Sequence, residues 1–260
     1  MLSFRQISRA YSYIFVIAVY LPIISLMVLS FNNSRTVSYP FREFTLKWWK
    51  LFFSDPGATS TLKNSLVAAS VTAVIATLMG LGIAFVLTRR RFSGKSALLY
   101  ALTVPIAVPY IIIATSLFLI FSQVLNIPVN IYTLIMGHIL VALPYSTLVI
   151  MARLIGFDRS LEEAAQDLGA TGFTVFRKIT LPLIMPGIVS SLYMTFIISL
   201  EDVVLARFLS GPNITVPFFV YGRLRRFEGL LETMALSSLM AILMLSLTLF
   251  YFVKAAKVEE

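Results

Sequence analysis

"SLEEAAQDLGATGFTVFRKITLPLIMPGI", residues Ser160–Ile188, is a polar stretch set in a chain that is otherwise mostly apolar. Ser160 followed three residues later by Glu163 has the spacing of a capping box, and Glu162 and Glu163 suit the positive end of a helix. Leu161, Ala164, Ala165 and Leu168 recur at helical spacing, while Glu162, Gln166 and Asp167 fall outside that face. Gly169 then suits a left-handed stop. The pattern predicts a two-turn helix with a small, Ala-rich apolar face that admits close approach by another backbone. A helix so short is marginal alone in water. Phe173, Phe176 and Ile179 add apolar knobs before Pro182 and Pro186 lead into another apolar run. On periodicity alone, a docking helix and an amphipathic connector lying on the inner leaflet fit equally.

The surroundings of this stretch are those of a membrane protein. Of 260 residues 58% are hydrophobic and 13% charged, against roughly a quarter charged in soluble domains. The basic excess, 21 Lys+Arg against 12 Asp+Glu, suits membrane faces better than nucleic acid, since no basic stripe lies on a polar helix. No nucleic-acid partner is expected. The absence of cysteine excludes disulfides, zinc thiolate sites and Cys nucleophiles.

About 20 apolar residues span a bilayer, and six stretches qualify: about 11–31, 62–88, 97–121, 131–151, 183–202 and 232–253. The first is longer than a signal-peptide core and no small-x-small site follows it, so it reads as a retained span. Strand-like alternation is missing, which leaves helices as the way to satisfy backbone groups in lipid. The expectation is an all-α membrane protein of six transmembrane helices, forming a single transmembrane domain over 1–260. "RRRFSGKS" (89–96) holds four cationic side chains and "SQVLNIPVN" (122–130) none. The positive-inside rule places the first loop in the cytoplasm, with both termini and the 152–182 segment on the same side. In the outer loop after the first span, Thr45 caps a short helix whose Trp48, Trp49, Phe52 and Phe53 read as an interfacial aromatic anchor.

The literal pattern in the opening stretch goes further than its periodicity. Glu163-Ala164-Ala165, Gly169, Ile179 and Leu181-Pro182 resemble, at all seven fixed positions, the EAA loop of bacterial ABC-transporter permeases of the binding-protein-dependent, MetI-like type. "SFNNS" (30–34), "FTLKWW" (44–49), "NSL" (64–66), "RFSGK" (91–95), "ARL" (152–154), "SLEDVV" (199–204) and "VYGRLR" (220–225) extend the likeness over nearly the whole chain. They resemble the spermidine/putrescine permease subfamily, its second permease type most of all. "VPFFVYG" (216–222) and the Glu201-Asp202 pair depart from the subfamily's usual residues at those places.

The resemblance implies a type I ABC importer permease fold in the bacterial inner membrane. It also implies a coupling helix seated in a cleft of a cytoplasmic ATPase, formed by Leu161, Glu162, Glu163, Ala164, Ala165, Leu168 and Gly169 with Phe173 and Phe176. The implied partners are an ATPase subunit dimer, a second permease making a heterodimer, an extracytoplasmic solute-binding protein and membrane lipid. The implied solute is a polyamine; iron(III), aminophosphonates, opines and amino acids are the alternatives within similar permeases. No cofactor is expected in this chain, with ATP and Mg held by the partner ATPase. "RFSGKS" ends like a phosphate-binding loop, but Arg89 stands where its first glycine belongs and no strand precedes it, so no ATP hydrolysis is expected here. An ion-gradient-driven transporter would carry coupling carboxylates in mid-span, and the spans lack them.

Ionisable groups at span depth are candidates for the solute path. Glu201 and Asp202 fall about 27 Å along the fifth span at ~1.5 Å per residue, where they form either a solvated helix end or an acidic mouth for a cationic solute. Tyr221 offers a cation–π face. His138, the one histidine, reads as a helix–helix hydrogen-bond donor. Pro105, Pro109 and Pro144 are expected to kink spans three and four. Ser65, Ser70, Thr72, Thr77, Gly80 and Gly82 are expected at close helix packing.

Overall fold

The computed structural model of the chain describes residues 4–34, 40–226 and 229–259. Its helices are α1 (Phe4–Leu29), α2 (Lys47–Ser54), α3 (Pro56–Arg89), α4 (Lys95–Ala107), α5 (Tyr110–Leu119), α6 (Ile131–Ile155), α7 (Ser160–Asp167), α8 (Gly172–Val175), α9 (Leu181–Glu201), α10 (Val204–Leu209), α11 (Val216–Arg226) and α12 (Leu230–Glu259). Among the described residues the one β-type pairing is an isolated bridge between Asn32 and Phe44. Single π-helical turns follow α5 and α8, at Ile120–Val124 and Phe176–Thr180.

Among the described residues five helical segments are long and apolar enough to cross a membrane, and α4 with α5 makes a sixth only if counted as one broken span. The third expected span, 97–121, is therefore bent, by 102°. Pro105 lies within α4 without ending it. The break falls at Val108 and Pro109, both extended, with ψ of 129° and 133°. Pro109 forces its predecessor out of the helical region. Pro144, also expected to kink its span, sits inside an uninterrupted α6.

The chain divides into two compact units. The first comprises residues 1–60 and 219–248. The segment after α1 is tied down by buried Asn32, whose side-chain oxygen accepts from the Arg42 amide at 2.9 Å and whose carbonyl accepts from the Trp48 indole at 2.9 Å. Phe31 stacks on both Phe44 and Trp49, at 5.3 Å in each case. The "FTLKWW" aromatics therefore brace the end of α1. Thr45 Oγ1 accepts the Lys47 amide at 3.2 Å, but Thr45 is not the expected cap: Leu46 is the cap residue of α2, and no side chain caps the helix.

The second unit comprises residues 61–218 and 249–260. α3, α6 and α9 present small residues to one another. Ala69, Thr72, Ala76, Gly80 and Ala84 recur at helical spacing on the buried side of α3, and Gly187, Ser191, Thr195 and Ser199 on that of α9. Without a hydrophobic drive between helices in lipid, close packing and interhelical hydrogen bonds hold such faces together. Thr77 Oγ1 meets Ser191 Oγ at 3.0 Å, and Ser191 Oγ donates to Ser146 Oγ at 2.7 Å, so hydroxyls join the three helices. Gly80 approaches Ser146 so closely that a Cβ would lie 2.8 Å from the serine Cβ. Two expected packing residues are elsewhere: Ser70 and Gly82 face outward. Ser65 is buried, but it accepts the Val216 amide at 2.8 Å and so holds the start of α11.

Candidate functional sites

α7 begins one residue earlier than a Ser160 cap requires. Arg159 is its cap residue and Ser160 its first helical residue, with no side-chain capping bond. The expected Ser160–Glu163 box does not form, because Asp158 Oδ1 takes the Ser160 amide at 3.0 Å. That bond holds the exposed Asp158 carboxyl below its usual pKa. The far end is as expected: Gly169 has φ +85°, and the Gly169 and Ala170 amides return to the carbonyls of Gln166 and Ala165 at 2.8 and 3.0 Å. A Cβ on Gly169 would meet nothing, so the left-handed backbone alone calls for glycine there.

Of the nine expected coupling residues, Leu161, Glu163, Ala164, Leu168, Gly169 and Phe173 are exposed, Leu168 by 90% and Phe173 by 73%. Ala165 is partly covered, and Phe176 sits edge-on to Phe85 at 5.7 Å. Glu162, expected on the outer polar side, instead turns toward its own chain. Its Oε1 accepts from Arg89 Nη2 at 2.8 Å and from Thr180 Oγ1 at 2.6 Å. Arg159 donates to the Thr88 carbonyl at 2.8 Å, satisfying a carbonyl that the end of α3 leaves free. Sequence reading took Arg89 only as a marker of sidedness, since nothing local announces a partner 73 residues away.

At the other end of α9 the acidic pair is divided. Glu201 is exposed, and the Asp202 side chain is 4% exposed. α9 stops at Glu201, and extended Asp202 turns the chain into α10. Asp202 Oδ2 accepts the Ala206 amide at 2.9 Å and lies 3.3 Å from His138 Nε2. His138 Nδ1 meets Ser199 Oγ at 2.7 Å. With the carboxylate as acceptor, the network assigns the imidazole proton to Nε2 and makes Ser199 the donor to Nδ1. His138 thus takes the helix–helix role expected of it, while the solvated reading of Asp202 is corrected by burial. Tyr110, at the start of α5, hydrogen-bonds Tyr145 of α6 and lies within electrostatic reach of Glu201 and Asp202. Both tyrosines went unnoticed in the sequence, where they are two among eleven.

Tyr221 is an exposed residue of α11 in the first unit, and the Arg225 guanidinium stands 5.9 Å from its ring centre. Among the described residues no three His, Asp or Glu side chains are placed to hold a metal ion. The stretch 89–96 leads from α3 to Gly94, whose φ of +88° opens α4.

Long apolar helices, a broken span and a short exposed helix tied to the long ones by buried charge define a polytopic α-helical membrane component. The chain belongs to the family described as "Binding-protein-dependent transport system inner membrane component", whose model matches residues 76–258. It is 38% identical over 207 residues to the spermidine/putrescine transport system permease protein PotC of Escherichia coli (strain K12), covering 79% of this chain and 78% of that protein. The PotC of Haemophilus influenzae is 35% identical over 241 residues, 92% of each chain. The putrescine transport system permease protein PotI of Escherichia coli (strain K12) is 36% identical over 213 residues, 79% of this chain and 75% of that one. Among solved structures, a bacterial ABC transporter involved in alginate import matches with a TM-score of 0.73 at 19% identity, over 96% of this chain and 94% of that one. The MetNI methionine ABC transporter matches at 0.62 and 17%, over 83% and 99%. These two likenesses give the fold, that of type I ABC importer permeases.

Proposed function

We propose that the chain is the permease subunit of an ATP-driven importer of polyamines, taking spermidine or putrescine from an extracytoplasmic binding protein. The relatives at 35–38% identity support the solute. The observation that carries the coupling half of this reading is α7: an eight-residue helix on a charge-tied mount, with Leu161 and Ala164 of the helix, Leu168 at its end and Phe173 of α8 all exposed. An apolar row on so short a helix is stable only against a partner. That partner is a subunit of an ATPase dimer that holds ATP and Mg. Its closure draws α7 and the equivalent helix of a second permease together, and the spans rock between inward and outward openings.

On this reading the 89–96 loop, α7 and both termini face the cytoplasm. Glu201 lines the solute path at the opposite end of α9, with buried Asp202 next to it. Glu201 presents its charge, and Asp202 fixes the chain break that aims it. Tyr110 and Tyr145 beside them, and Tyr221 on α11, are aromatic surfaces suited to spaced ammonium groups.

The test is reconstitution of the full complex, with ATPase, second permease and binding protein, in proteoliposomes. Hydrolysis is then followed with spermidine, putrescine, iron(III), an aminophosphonate and amino acids in turn. Spermidine or putrescine should stimulate hydrolysis and enter the vesicles. Stimulation by another solute alone overturns the polyamine assignment, and uptake without ATP overturns the importer.

A further inference from the structure

The charged seam beneath α7 does more than attach it. α7 has eight residues and no fully buried side chain, so neither its length nor burial of its apolar face fixes its direction. Its backbone links run past Gly156 on one side and past Gly169 and Gly172 on the other, residues that resist swivelling least. The firm connections are polar. One oxygen of Glu162 receives the Arg89 guanidinium, the last residue of α3, and the Thr180 hydroxyl, one residue before α9. Thr180 is buried, and the Arg89 and Glu162 side chains are 11% and 15% exposed. The guanidinium carbon also lies 5.8 Å from the Phe85 ring centre and 5.4 Å from that of Phe157, while Nε and Nη1 have no protein acceptor. A planar cation set between two rings with one carboxylate in reach has one favoured orientation.

We propose that Arg89 is a positioning residue for energy coupling: through Glu162 and Thr180 it makes α7, the end of α3 and the foot of α9 a single rigid body. A pull on α7 then moves two spans instead of turning a swivel. This rests on the reading of α7 as the helix an ATPase grips. Arg89 itself touches neither the ATPase nor the solute, so its variants should separate hydrolysis from transport without displacing the motor.

The experiment uses the full complex in proteoliposomes with radiolabelled spermidine, and compares Arg89→Ala, Arg89→Lys and the exchange Arg89→Glu with Glu162→Arg. The chain has no cysteine, so spin labels placed on it at Arg90→Cys and Gln166→Cys before assembly report the α3–α7 distance with no competing site in this chain. In Arg89→Ala the ATPase should still co-purify and hydrolyse ATP, while spermidine moved per ATP falls roughly two- to thirtyfold and the label distance broadens. Arg89→Lys, which keeps the charge but not the fork, and the exchange should each recover part of the loss. Wild-type stoichiometry in Arg89→Ala overturns the proposal. So does an exchange no better than Arg89→Ala, or a parent label distance that changes with nucleotide. Should Arg89→Ala fail to assemble, Arg89→Lys and the exchange carry the same two readouts. Separately, an ATPase that still binds a Leu168→Arg chain would sink the docking reading, while the nucleotide-free label distance continues to judge the joint.

Discussion

Asp202→Ala should unfold part of the solute path, and Asp202→Asn should not. The wild-type carboxylate serves two buried donors through one oxygen, the Ala206 amide at 2.9 Å and His138 Nε2 at 3.3 Å. Alanine leaves both without an acceptor. The amide belongs to the first turn of a six-residue helix, where loss of a capping acceptor costs about 0.5–2 kcal/mol. The imidazole bond crosses between helices, and such bonds in membrane proteins are worth about 0.6 kcal/mol on average and ~1.7 at most. These costs already include leaving each buried donor without an acceptor, so a total of about 1–4 kcal/mol is expected. Asparagine places an amide oxygen where Oδ2 stood and keeps both acceptances, for a loss of less than about 1 kcal/mol. The assay is equilibrium unfolding of the detergent-solubilised complex, with His138→Ala added to complete a double-mutant cycle. The cycle should return a coupling of about 0.6–1.7 kcal/mol between the two residues. An alanine variant as stable as the parent, or an asparagine variant as weak as the alanine one, would refute the reasoning. Because Asp202 is covered, Asp202→Asn should also retain spermidine uptake.

Glu201 is the exposed member of that pair, so Glu201→Gln should leave stability within about 0.5 kcal/mol while raising KM for a dicationic solute; the effect should shrink as salt rises and screening sets in. Leu168→Arg, at a side chain 90% exposed, should likewise spare the fold but lower co-purification of the ATPase, read by pull-down from membranes. Gly80→Ala and Gly82→Ala should part ways in thermal unfolding. A Cβ at 80 meets Ser146 Cβ at 2.8 Å and the Thr147 nitrogen at 3.0 Å, whereas one at 82 meets nothing. Overpacking costs the first about 1–3 kcal/mol, and helix propensity favours the second by up to about 1 kcal/mol.

What the sequence made legible were properties carried by runs of residues. Hydropathy located the spans, and Gly169 marked the end of α7 because a left-handed backbone has few other occupants. Pro109 signalled a kink, but the 102° bend depends on where α4 and α5 pack, which no local rule supplies. The cap of α7 was misplaced for a definable reason. Asp158 and Ser160 are both good capping residues, and Asp158 takes the Ser160 amide, which sets Ser160 as the first helical residue. Glu162 and Asp202 were misjudged in the same way. Each was read as polar and therefore outward, whereas each is turned inward by a partner on another helix, Arg89 in one case and His138 in the other.

Those partnerships share a physical logic. Short helices such as α7 and α11 bury too little surface to hold themselves against long ones, and in lipid the long ones gain nothing from apolar contact with them. A buried or half-buried hydrogen bond to a carboxylate supplies the direction that burial does not. Glu162 ties α7 to α3, and Asp202 ties α10 to α6. In the first unit Arg223 of α11 donates at 2.7 Å to Glu232 of α12 and at 3.1 Å to Asp55, which ends α2. Such a tie is directional and breaks at a single substitution, so changing one charged residue frees one short helix and leaves the spans in place. If removing Arg223 instead loosened the whole protein, charge would be holding the spans together and not aiming their short helices. Unfolding of Arg223→Ala beside Arg89→Ala tests this, with loss of a local step expected in each and a lowered global midpoint in neither.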